Sequence, residues 1–348
     1  MQWRKKEGLM RIQEELLTWY DRQKRVFAFR DTHDPYRIWV SEIMLQQTRT
    51  ETVEKYFTRF IEAFPTVEAL AAAEEEQVLK LWEGLGYYSR ARNLLKAARM
   101  AAKEGMPRTF ETLQKLPGIG SYTAAAIASI AYGEQVPAMD GNLTRVIARL
   151  FRVEENTAVP SVKRRLFALG QELLSTDRPG DMNQAMMDLG ATVCLPGTPD
   201  CGRCPVRRHC EAEKTGDPSL LPVLPNKKPQ RPVDMTVTLV RCKDRMLLFK
   251  RKERLLHGLY VFHLTQGEES EALEELKAIG LSVRYQKALG EARHVFTHLV
   301  WNMQGMLVET DSMPAISGGL WATAEEIAAL PLPTAMKKPK QWAMEVLE

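Results

Sequence analysis

The sequence predicts a multidomain protein: an all-α domain over residues 1–213, a proline-rich linker over 214–232 and an α+β domain over 233–348. Three observations predict it. Apolar residues recur at helical spacing through the first two hundred positions. The stretch 214–232 then interleaves Pro218, Pro222, Pro225, Pro229 and Pro232 with Lys227, Lys228 and Arg231. Proline removes backbone donors and holds φ, so this stretch reads as extended and semi-rigid. Beyond it, β-rich runs alternate with helical ones. A length of 348 residues fits two or three domains at roughly 100–200 residues each, and a hydrophobic share of 45% excludes wholesale disorder.

The elements follow in order. Leu9, Ile12, Leu16 and Tyr20 make one helical stripe, and Val53, Tyr56, Phe57, Phe60 and Ile61 make another. Asp34-Pro35 reads as an N-cap with proline at the first helical position. Gly133 follows an alanine-rich run as a C-cap would. In the second half, 233–241 and 246–250 are strand-like runs joined as a hairpin at Cys242-Lys243-Asp244-Arg245. Residues 268–279 read as a helix with Leu273 and Leu276 on one face, 294–308 as a strand and 336–347 as a closing helix.

The N-terminal residues lead into no apolar core of a secretory signal, so an intracellular, cytoplasmic location is expected. The uncharged run 116–133 contains Pro117, Gly118, Gly120, Ser121, Thr123 and Ser129, too polar and broken to span a membrane. The net charge of +4 divides as +2 for 1–213 and +2 for 214–348. A nucleic-acid partner would therefore need a local basic face rather than a basic domain.

Cys194, Cys201, Cys204 and Cys210 follow a C-x6-C-x2-C-x5-C spacing within a loop over 194–210 that is rich in proline and glycine. Four thiolates fit tetrahedral zinc or a [4Fe–4S] cluster. Structural zinc sites usually present two short knuckles and only Cys201/Cys204 qualifies, which favours the cluster; disulfides conflict with an intracellular chain. Cys242 lies outside this loop and reads as a spare thiol. Arg203, Arg207 and Arg208 give the loop a basic patch able to meet phosphate.

Leu116-Pro117-Gly118-Ile119-Gly120 separates two helical stretches, the whole spanning 113–132. Gly118 and Gly120 allow a tight turn whose N–H groups point at the start of the next helix, an arrangement that binds a phosphate without reading sequence. It resembles a helix-hairpin-helix element. Two acids stand out beside it. Asp140, in Met139-Asp140-Gly141-Asn142, opens a helix, where it caps the N-terminus and is held ionised. Glu42 lies in 39–48 with Ile38 and Leu45 on its helical face, so it is desolvated and able to carry a proton near neutral pH. One protonated and one ionised acid is the division of labour of glycosidic cleavage.

Together these motifs resemble the endonuclease III superfamily of helix-hairpin-helix DNA glycosylases and, within it, the MutY-type adenine DNA glycosylases. The resemblance rests on Trp39–Thr48, Gly84–Asn93, the hairpin, Met139–Asn142, Asn183–Gly190 and the four cysteines, and covers nearly the whole chain. It implies a helical glycosylase domain with an iron–sulfur loop, followed by an α+β MutT/Nudix-like domain. It also implies base excision repair of double-stranded DNA, removing adenine opposite 8-oxoguanine or guanine. The protein would act as a monomer, nucleoid-associated, with no membrane partner.

By the same resemblance, Glu42 protonates the extruded adenine and Asp140 stabilises the sugar cation. Tyr122 and Asn142 orient Asp140 and the water. Gln184 reads the adenine edge and Arg30 lines the pocket. Gln47 and Tyr87 wedge the vacated stack, Thr48 and Leu85 touch the opposite base, and Thr297 and His298 read the oxidised base. Gly118 and Gly120 hold the DNA backbone, and Cys194, Cys201, Cys204 and Cys210 hold a [4Fe–4S] cluster.

Tyr122 stands where bifunctional members carry a Schiff-base lysine, so imine formation lacks its amine. A bifunctional glycosylase/lyase on oxidised pyrimidines and a non-catalytic damage sensor are the competing readings. Two departures from the family pattern are Thr297, where many members have serine, and Phe27-Ala28-Phe29, where many have Leu-Pro-Trp. The segment 276–280 lacks the glutamates of a Nudix metal helix, so no nucleotide hydrolysis is expected.

Overall fold

The structure, a computed structural model, describes residues 2–225 and 229–348. It divides into two compact units, Met1–Ala72 with Asn93–Asn226, and Ala73–Arg92 with Lys227–Glu348. A division at 213 and 233 does not anticipate that residues 73–92 group with the C-terminal part.

The first unit is helical. Its elements are α1 (Gln2–Gln23), α2 (Pro35–Leu45), α3 (Thr50–Ala63) and α4 (Val67–Ala72). Helices α5 (Glu75–Leu81) and the start of α6 (Ser89–Glu104) belong to the second unit, and α6 carries the chain back. Then follow α7 (Phe110–Leu113), α8 (Ser121–Tyr132), α9 (Gly141–Leu150), α10 (Pro160–Leu173), α11 (Pro179–Thr192) and α12 (Glu211–Thr215). The expected caps are present: Asp34 accepts from the N–H groups of Tyr36 and Arg37 with Pro35 at the first helical position, and Gly133 closes α8 at φ 70°. Ala124 to Ala128 of α8 are all buried. The small side chains of the four alanines among them let α2, α7 and α11 pack closely around α8, and two of these helices bring Glu42 and Gln184.

The first part of the expected linker is tied down. Arg149 donates to the Leu221 carbonyl at 2.8 Å and the Thr157 N–H to that of Val223 at 3.0 Å. Residues 226–228, including Lys227 and Lys228, lie outside the described residues. Pro232 is already in a strand.

The second unit holds a mixed sheet of β1 (Arg231–Cys242), β2 (Arg245–Lys250), β3 (Tyr260–Val261), β4 (His263–Gln266), β5 (Arg284–Val295), β6 (Leu299–Glu309) and β7 (Gly319–Ala322). Its order is β3-β2-β1-β6-β5, with β4 also on β1 and β7 on β2, and β1 runs parallel to β6. Helix α13 (Glu269–Ala278) covers one face through Ala272 and Leu276. Helices α14 (Ala324–Ala329) and α15 (Lys337–Leu347) cover the other through Ile327 and Trp342. A strand covered on both faces is apolar throughout rather than alternating, as β1 is from Met235 to Val240, where Thr236 and Thr238 are the polar exceptions. The expected single strand over 294–308 is corrected. It is the end of β5, a short turn at Phe296-Thr297-His298, and most of β6. The turn is needed because β5 and β6 pair antiparallel.

Candidate active site

Glu42 and Asp140 meet in one cavity of about 210 Å³. Glu42 is presented by α2 between Ile38 and Leu45, as its spacing predicts, and is 7% exposed. Burial raises its carboxyl above the usual range, and the nearby charge of Asp140 adds to this; the Tyr122 hydrogen bond and the Arg30 guanidinium oppose it. Tyr122, in the first turn of α8, donates its hydroxyl to Glu42 Oε2 at 2.7 Å. Tyr122, expected to orient Asp140 and the water, is here bonded to the other acid. The bond from Tyr122 favours Oε2 as the carbonyl oxygen of a neutral Glu42 and so Oε1 as the oxygen that carries its proton.

Asp140 caps α9, accepting from the Leu143 N–H at 2.6 Å and from Asn142 Nδ2 at 2.9 Å. The helix N-terminus and Asn142 favour its ionised form, but they do not act alone. Burial outweighs these donors and raises its carboxyl. Asp140 nonetheless takes more donors than Glu42, so it is the better-stabilised anion of the pair. Asn142 is fixed in turn: Arg145 Nη2 donates to its Oδ1 at 2.8 Å and to the Gly190 carbonyl at 2.7 Å.

The rest of the wall comes from α11 and the segment before α2. Gln184, Met187, Arg25, Arg30 and Phe29 line the cavity. Phe29 is buried, stacked on Phe27 at 5.2 Å and edge-on to Phe57 at 5.8 Å. Arg25 went unseen in the sequence, as did Asp188, which holds both arginines from behind. The one signal for Asp188 was its spacing of four from Gln184, which puts both on one helical face. Among the described lining residues there is no lysine.

Other predicted residues lie at turns. Thr48 lines the cavity. Gln47 is exposed in the left-handed region at φ 58°. Tyr87, in the second unit, is 47% exposed at φ 47°. A side chain held there by its surroundings is pointed outward at a cost of order 1–3 kcal/mol. Arg90 holds the Tyr87 turn, donating to the Leu85 and Gly86 carbonyls at 3.1 Å and lying over the Trp82 and Tyr87 rings. Leu85, expected at the opposite base, is instead buried at 6%. Thr297 and His298 are exposed on the β5–β6 turn, and Thr297 Oγ1 is 2.7 Å from the Tyr87 hydroxyl.

Gly118 turns the hairpin at φ 80°, and a Cβ there would come within 2.7 Å of Asn93 Cβ. Gly120 is exposed and caps α8 without a side-chain hydrogen bond to its N-terminus. The four cysteines line a second cavity with Arg149, which donates to Cys194 Sγ at 3.3 Å. Burial raises the thiols of Cys201 and Cys210 and pushes that of Cys204 up to about 12. Among the described residues, no three His, Cys, Asp or Glu side chains close on a single-ion site. The loop arginines already face acids: Arg203 with Asp200, Arg207 with Glu213, and Arg208 with Glu15.

Residues 40–171 match the family of HhH-GPD superfamily base excision DNA repair proteins, and 236–341 match the NUDIX domain. The adenine DNA glycosylase of Homo sapiens is 36% identical over 93% of this chain and 72% of its own length. That of Buchnera aphidicola subsp. Baizongia pistaciae is 27% identical over 93% and 94%. Among solved structures, a thermostable thymine-DNA glycosylase is 27% identical and superposes with a TM-score of 0.55 over 60% of this chain and 98% of that one. A trapped endonuclease III–DNA covalent intermediate, 22% identical, shares the fold of the helical part with a TM-score of 0.50, over 60% of this chain and 97% of that one. With two unlike acids in one cavity behind a helix-hairpin-helix turn, and with that likeness along almost its entire length, the chain belongs to the adenine DNA glycosylase family of HhH-GPD base excision repair enzymes.

Proposed function

We propose that this protein removes adenine from DNA where it faces 8-oxoguanine or guanine, by hydrolysis and without a lyase step. The observation that carries the reading is the shared cavity of Glu42 and Asp140, with Tyr122 on Glu42 and Asn142 on Asp140. The adenine must leave the base stack to enter it. Glu42 gives its Oε1 proton to N7, which makes adenine a leaving group, and the bond from N9 to C1′ breaks. Asp140 faces the sugar cation as an anion. Water adds hydroxide to C1′ and returns its proton to Glu42. Gln184 and Arg30 orient the base from the wall. Tyr122 in the lysine position, and a described lining without lysine, support an abasic site as the product.

Gln47 and Tyr87 fill the vacated stack and Thr48 lies on the opposite-base side. The Tyr87–Thr297 contact supports a joint role for the 84–88 turn and the Thr297-His298 loop in reading the oxidised base. Leu85 would have to emerge from its packing to take part. Gly118 and Gly120 present N–H groups to a DNA phosphate.

The soft four-sulfur donor set around one cavity fits a [4Fe–4S] cluster on Cys194, Cys201, Cys204 and Cys210. Such a cluster has no open position, supplies a structural clamp, and would take the thiolates that burial disfavours in the free loop. Through Arg145 and Arg149, both donating to this loop, α9 ties the Asp140 end to the cysteines.

The test is release of adenine from duplexes carrying adenine opposite 8-oxoguanine, guanine or thymine, with strand scission scored before and after alkali. Release from the first two, scission only after alkali, and loss of release with retained binding in Glu42→Gln are expected. Borohydride trapping of an enzyme–DNA adduct, or full activity of Glu42→Gln, would overturn the reading.

A further inference from the structure

The mechanism uses the two acids of the cavity and leaves a third, buried one unassigned. Asp188 on α11 is fully buried and is not part of the cavity lining. Its oxygens receive two arginines that are. Arg25 donates through its backbone N–H at 3.2 Å and through Nε at 2.8 Å, with Nη2 at 2.7 Å. Arg30 donates through Nη2 at 3.0 Å and Nη1 at 3.4 Å, and also reaches the Tyr20 hydroxyl at 3.3 Å. One carboxylate thus serves two guanidiniums, whose mutual repulsion would otherwise drive them apart. Five contacts on a group without solvent leave it one arrangement.

We propose that Asp188 is the positioning residue of the base cavity: it locks Arg25 and Arg30 into the wall and sets how much positive charge Glu42 faces. The inference rests on Glu42 as the acid of adenine release. Glu42 faces Tyr122 from α8, Asp140 ahead of α9, and Arg30 from the segment before α2. Arg25 and Asp31 of that segment line the same cavity. With Asp188 in place, the two arginines and their partner carry a net charge of one. Without it they carry two, beside an acid that must stay neutral and a sugar that becomes cationic.

The sign follows. Added positive charge favours the Glu42 carboxylate, so activity is lost at lower pH as pH rises. The experiment measures single-turnover adenine release from an adenine:8-oxoguanine duplex against pH, at saturating enzyme, for wild type, D188N, D188E and D188N/R25Q. D188N should lose roughly 100-fold in rate, the scale of a misplaced binding wall, and its alkaline midpoint should fall by about one unit. D188E, which keeps the charge, should keep the wild-type midpoint. D188N/R25Q, which restores the net charge of the cluster, should return the midpoint to wild type while the rate stays low. A merely structural role moves the rate and the melting temperature but not the midpoint.

An unchanged midpoint in folded D188N overturns the proposal, as does a lowered midpoint in D188E. If D188N does not fold, D188N/R25Q carries the test: a wild-type midpoint supports the proposal and a lowered one overturns it. Failure of the wild-type protein to release adenine would instead overturn the reading of Glu42, so the two failures are distinguishable.

Discussion

Replacing Gly190 by alanine should disable the site without touching either acid. Gly190 on α11 packs against the start of α9, and a Cβ there would stand 2.7 Å from Asn142 Cβ and 3.2 Å from its Cα. Carbon atoms pack at about 3.5–4.0 Å, so Asn142 must retreat by about 1 Å. That residue donates to Asp140 at 2.9 Å and accepts from Arg145 at 2.8 Å. A retreat of that size stretches both bonds past hydrogen-bond range. Misplacement by about 1 Å costs roughly 100-fold in rate. Stability should change less, because overpacking at about 1–3 kcal/mol is offset by about 1 kcal/mol of helix propensity gained over glycine. A residual of about 1 kcal/mol moves the melting temperature by about 2–4 °C. The assay is single-turnover adenine release at saturating enzyme, beside duplex affinity and thermal melting. A folded Gly190→Ala protein that releases adenine at the wild-type rate would refute the reasoning, since Asp140 would then not depend on Asn142.

Other outcomes follow from the same geometry. Tyr122→Phe removes a donor that favours the Glu42 carboxylate, so the alkaline limb of the rate profile should move to higher pH, by about one to two units if the bond contributes about 1.5–3 kcal/mol to the anion; a limb that stays or falls contradicts the 2.7 Å contact. Burial raises Glu42 above its unfolded value, so its ionisation opposes folding once pH exceeds about 4.3. Glu42→Gln should therefore melt higher than wild type at pH 7, with the gain vanishing below that pH, as scanning calorimetry would show. Gly118→Ala meets both the positive φ and Asn93, and should weaken duplex affinity about tenfold through a cost of about 1–2 kcal/mol. Its rate at saturation should change little, read by titration against single turnover.

How far the sequence was legible depends on whether the governing interaction is local. The caps at Asp34, Gly133 and Asp140 satisfy backbone groups within two to five residues, so residue type and order suffice to find them. The β5–β6 turn was missed because Phe296-Thr297-His298 carries no glycine or proline punctuation; antiparallel pairing with β6 makes the turn. Leu85 could be named from its motif, but its burial is a matter of tertiary packing that the motif does not carry.

The sequence by itself determined the helical and α+β halves, the glycine hairpin, the four-cysteine spacing and the identity of the two acids, all of which are written in neighbouring residues. Only the tertiary structure decided that Tyr122 serves Glu42, eighty positions away, and that Asp188 holds Arg25 and Arg30 from about 160 positions away. It also decided that burial lifts both acids, Asp140 included, against the pull of a helix N-terminus. The reason is physical: hydrogen bonds and desolvation act over a few ångströms of space, and which residues come that close is settled by packing rather than by order along the chain.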